Sequence, residues 1–219
     1  MTPDYESAAL RATETLIRHQ ISAAPIEPLP MLKAIPGVFV VSFTEMAAGM
    51  DQDRESLLHQ FGANHMDAVT YGQEINGQFL YFVAYNQRLP FYMLQRALAR
   101  EMGHMLLGHD GSRPEAVREE EALCFARHLI CPRPLIRAVM EAGVPMSIET
   151  VGNITGCYEQ CLKGIRRTPG AHVPADLNRL LKEQFADYVK NLLAFQSVLP
   201  PDDSSAPADF GTYMDLYEE

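Results

Sequence analysis

The 219-residue sequence predicts an α+β fold, mostly α, with a small sheet of about three strands and a helical C-terminal part. Three observations predict it. GVFVVSF at 37–43 is apolar and β-branched and reads as a buried strand. DAVTY and QFLYFVAY, within 67–85, flank Asn76-Gly77, the turn pair of a tight hairpin. Apolar residues then recur at helical spacing over most of 90–199. Three strands are marginal alone, so helices must cover them.

In chain order, residues 4–19 carry Ala8, Leu10, Ala12, Leu16 and Ile17 at helix-like spacing. Prolines 25, 28, 30 and 36 punctuate the short segment before the first strand. A helical stretch at 51–61 ends at Gly62. Pro90 opens the next helix and Gly108 closes it, with Phe91, Leu94, Leu98, Met102 and Met105 on one stripe. REEEALCFARHLICP forms another helix, stopped by Pro132, and helices follow at 133–142 and around 147–166. The longest runs from Ala175 to about Leu199. The chain thus divides into an N-terminal helix (1–24), a central domain (25–142), a helical C-terminal region (143–199) and a tail (200–219) whose Pro/Ser/Asp-rich composition is that of disorder.

Net charge is −10, and six of the acids fall in the last twenty residues, leaving −4 for the rest. That balance argues against a broad phosphate-binding surface, so no strong nucleic-acid signal is present. No apolar run approaches the roughly 20 residues that span a bilayer, and the acidic start lacks the pattern of a signal peptide. A cytoplasmic address without a membrane partner is expected. Cys124, Cys131, Cys157 and Cys161 then read as buried free thiols; zinc-ribbon spacing is absent. Lys163, Arg166 and Arg167 suit a helix C-terminus, and 151–167 has a weak likeness to a helix-turn-helix. His19, His59, His65, His128 and His172 have no ligand-like partners in the sequence.

The chemistry-bearing stretch is LAREMGHMLLGH at 98–109. In a zinc protease, His-Glu-x-x-His on a helix turns two imidazoles to one ion, and the Glu polarises a metal-bound water whose pKa falls to about 7. Here Glu101 and His104 hold the second and last positions, while Arg100 stands at the first. Downstream come Glu119-Glu120-Glu121-Ala122, Phe125-Ala126, Leu129 and Pro132. Taken with Gly108-His109 after Met105-Leu106-Leu107, these stretches resemble the ImmA/IrrE family of bacterial metallopeptidases, over roughly residues 25–170.

That resemblance implies a zincin-like minimal metallopeptidase domain, often encoded beside repressor genes on mobile elements and acting on a helix-turn-helix repressor under stress. It makes Glu101 the general base and His104 and Glu121 zinc ligands, Glu121 being preferred to Glu120 because it immediately precedes the Ala. Arginine, however, stays protonated and cannot coordinate zinc, and two protein ligands are too few for a catalytic site. Cys124, three residues beyond Glu121, is the one local substitute. On a continuous helix His109 lies about 140° round from His104 and faces elsewhere, and His128 is about 10 Å from Glu121 along its helix.

The expectation is a degenerate site, with zinc the cofactor if any is bound. Arg100 bridges Glu121 or Glu101 and replaces the charge of the ion. The protein is then a regulatory or binding pseudoenzyme toward a repressor-type partner. An active zinc endopeptidase with a substitute ligand is one alternative. A non-enzymatic interaction module, its acidic tail recruiting a partner, is the other.

Overall fold

The computed structural model describes residues 2–60, 67–157 and 171–196. The tail, Cys161, His65, the 163–167 basic cluster and most of the helix-turn-helix-like stretch lie outside the described residues. Helix α1 (Tyr5–Arg18) begins where the Asp4 carboxylate accepts the Ser7 amide at 2.9 Å. A short α2 (Pro28–Lys33), with proline in its first turn, leads to strand β1 (Val38–Ser42). Helix α3 (Phe43–Gly49) follows directly, and α4 (Arg54–Gln60) precedes β2 (Ala68–Ile75) and β3 (Gln78–Tyr85). Then come α5 (Phe91–Leu106), α6 (Glu115–Ile130), α7 (Arg133–Glu141), α8 (Ile148–Thr155), α9 (Ala175–Gln184) and α10 (Ala186–Gln196).

The strands form one mixed sheet in the order β1-β3-β2. β2 and β3 are antiparallel around a turn in which Asn76 and Gly77 both have positive φ, as the Asn-Gly pair predicts. β1 lies parallel to β3, placing Val38 opposite Tyr81 and Phe39 opposite Phe82. The two faces differ. Val83, with Val38 and Val40, meets the main core, which also takes in Leu98 and Met102 of α5 and Phe125 of α6. Val41, Ala84 and Val69 meet Phe43 of α3 and Leu58 of α4 on the opposite face. Mostly helical α+β architecture with a three-stranded sheet is therefore what the chain adopts.

Three local expectations change. β1 is not buried throughout: α3 and α4 cover only its Ser42 end, and Phe39 is 50% exposed. Helix α3 was not anticipated, although Ser42 and Glu45 form a full capping box that announces it. The long helix from Ala175 is two helices meeting at Phe185, whose backbone relaxes to ψ 0 while its ring is wholly buried. No proline or glycine marks that break; it follows from tertiary burial.

Helices α5 and α6 cross closely at Gly103. A Cβ there would lie 3.1 Å from the Ala122 Cα, the Ala122 carbonyl oxygen and Phe125 Cδ1. Two of those atoms are backbone and cannot swing aside. Gly103→Ala is therefore expected to destabilise the fold by about 1–3 kcal/mol from overpacking, despite a helix-propensity gain of about 1 kcal/mol. Urea unfolding of the two proteins checks it.

Candidate functional site

The α5–α6 crossing brings the chemistry-bearing residues together. Arg100, Glu101 and His104 come from α5, Glu119 and Glu121 from α6, and His109 and Arg113 from the loop between them. That loop has a defined start. Gly108 has φ +65°, its amide donates to the Met105 carbonyl at 3.2 Å, and the His109 amide donates to the His104 carbonyl at 3.0 Å. This is a Schellman closure, which ties the residue after the glycine back to the helix three positions before its cap. His109 therefore meets His104, their Nδ1 atoms 2.9 Å apart, instead of facing elsewhere. The 140° separation assumed a helix that continued; the helix ends first.

Arg100 makes one of its two expected bridges and a further one. Its Nη1 donates to both oxygens of Glu119, at 3.0 and 2.9 Å, and its Nη2 pairs with Glu101 and reaches the Ala68 carbonyl of β2 at 3.3 Å. The expected bridge to Glu101 is present. Glu119, not Glu121, provides the other carboxylate. Glu119 also lies 3.0 Å from His104 Nε2. Of the three consecutive glutamates, Glu119 thus occupies the place beside Arg100 and His104 that the resemblance gave to Glu121.

Glu121 serves a separate cluster. Its side chain is 2% exposed, accepts two bonds from Arg113 at 2.9 and 2.7 Å, and lies 2.9 Å from His109 Nε2. The Asp4 amide donates to it at 2.8 Å, joining the N-terminus to α6. Cys124, one turn on, donates its thiol to the Tyr5 carbonyl at 3.6 Å, and burial pushes its pKa up to about 12. That thiol faces α1 and resists forming the thiolate that metals bind. His128 is likewise driven by burial down to about 3.

Glu119 to His104, His104 to His109 and His109 to Glu121 are three contacts in series, at 3.0, 2.9 and 2.9 Å. Burial lowers the His109 pKa, against the pull of the Glu121 hydrogen bond. Arg100 and Arg113 set two fixed cations against Glu101, Glu119 and Glu121.

Zinc fits this donor set poorly. Arg100 fills the first-ligand position, His104 is engaged with Glu119 and His109, and Glu101 is paired with a guanidinium instead of being free to polarise water. What the arrangement does chemically is hold charge: it neutralises buried carboxylates and locks two helices. Burial raises the Glu101 pKa, while the His104 hydrogen bond, with Arg100, holds Glu119 down to about 2.

No family model, curated protein or solved structure matches this chain. Among the described residues, no helix is long and apolar enough to cross a membrane.

The Glu119 shift sets a pH dependence. A carboxyl whose folded pKa is depressed from 4.5 to about 2 stabilises the fold fully above 4.5, and that stabilisation is lost as pH falls toward 2. Glu101, raised, acts in the opposite sense: its ionisation weighs against the fold at higher pH, and acidification relieves it. Glu119→Gln is expected to flatten the loss of stability between pH 4.5 and about 2, measured by urea midpoints across that range.

Proposed function

We propose that this chain is a zincin-like scaffold of the ImmA/IrrE kind whose hydrolytic chemistry is impaired, and that it acts as a regulatory binding protein toward a helix-turn-helix repressor or similar partner. The observation that carries the reading is Arg100. Its guanidinium stands at the first-ligand position and pairs with both Glu101, the expected general base, and Glu119. A fixed cation there supplies the charge that an ion would bring, without an open coordination position or an activated water. The order of motifs, Glu101-x-x-His104 on one helix and a glutamate facing it from the next, supports the scaffold assignment.

An active endopeptidase using a substitute ligand is less well supported, because the Cys124 thiol is turned to α1.

Metal analysis tests the proposal. Protein refolded with excess zinc and then dialysed is expected to retain far less than about one equivalent, the number a catalytic site holds. One tightly held equivalent would sink the idea. Arg100→His should raise retention to about one equivalent by restoring a third ligand. Adding Glu119→Ala to that variant should abolish the gain, identifying Glu119 as the α6 ligand.

A further inference from the structure

The sheet face shared with α3 and α4 carries an aromatic row beyond the reach of those helices. Phe39 and Phe82 are register partners whose rings stack at 5.2 Å and 17°, and Tyr71 pairs with Phe82 from the other side. They are 50%, 39% and 61% exposed. One aromatic on each strand, in register and open to water, is an apolar ledge rather than scattered surface residues.

We infer that this ledge is the docking site of the chain's own C-terminal segment, residues 208–219. Size chooses the kind of occupant. An aromatic side chain offers roughly 150–250 Å², so the row exposes on the order of 300 Å². A stable interface between separate proteins needs about 800 Å² per partner, which excludes a second copy held by this patch alone. A tethered segment needs far less, because the tether supplies an effective concentration in the millimolar range.

The segment has matching chemistry. Phe210, Tyr213, Met214, Leu216 and Tyr217 fall within eight residues, after a stretch from Pro200 to Asp209 with no large apolar side chain. Asp209, Asp215, Glu218 and Glu219 interleave with them and keep the segment soluble when undocked. Helix α10 ends at Gln196, so residues 197–209 form a tether of at most about 43 Å.

Hydroxyl-radical footprinting of the full chain decides it. The comparison is with a full-length variant carrying Phe210→Ser, Tyr213→Ser and Leu216→Ser, changes that leave the sheet and helices untouched. Phe79, on the opposite sheet face and 57% exposed, is the internal reference. Oxidation of Phe39, Phe82 and Tyr71 should rise about threefold or more in the variant, as expected if the tethered segment covers the row about two-thirds of the time. Phe79 should not change. A synthetic peptide of residues 208–219, added in excess, should restore protection. Equal rates in both proteins would overturn the inference. Protection that depends on protein concentration and persists in the variant would do so too, assigning the ledge to a second copy.

Discussion

Everything around the α5–α6 crossing depends on neutralising two buried carboxylates, Glu101 and Glu121, and the partly exposed Glu119 beside them. Glu101 and Glu121 are both nearly inaccessible, and an isolated buried carboxylate costs several kcal/mol. The chain meets this with a series of charge-assisted hydrogen bonds running from Arg100 through Glu119, the two histidines and Glu121 to Arg113. The helices approach closely because Gly103 permits it, and that approach in turn brings the charges within bonding distance.

Much of the architecture could be read from local signals. Asn76-Gly77 announced its hairpin, and Pro90 and Gly108 bracketed α5, because these residues impose backbone conformations that tertiary context rarely overrules. The capping box at Ser42, equally local, marks the start of α3. By contrast, the break at Phe185 has no sequence mark, since it arises from where a large ring finds its place in the core. The exposed row on β1 and β3 was hidden for a similar reason: strand composition reports apolarity, while the extent of the covering helices decides burial.

The site divides in the same way. Arg100, Glu101 and His104 were legible together because they share one helix, whose geometry is fixed. Choosing among Glu119, Glu120 and Glu121 required the rotation of α6 against α5, which sequence spacing does not give. His109 is the instructive case. Its glycine neighbour was recognised as a helix terminator, and a Schellman closure habitually returns the residue after the glycine toward the preceding turn. Following that signal to its end would have put His109 beside His104.

One bond also bears on the order in which the protein is built. The Asp4 amide reaches Glu121 across 117 residues of sequence, and the Cys124 thiol reaches the Tyr5 carbonyl across 119. Both use main-chain atoms of the segment that begins α1, so the junction is sensitive to its register. The segment around Asp4 and Tyr5 must wait for α6 before it can be seated. Until then Glu121 lacks one of its donors, so completion of the charged centre belongs to the late, global stage of folding and not to the formation of either helix.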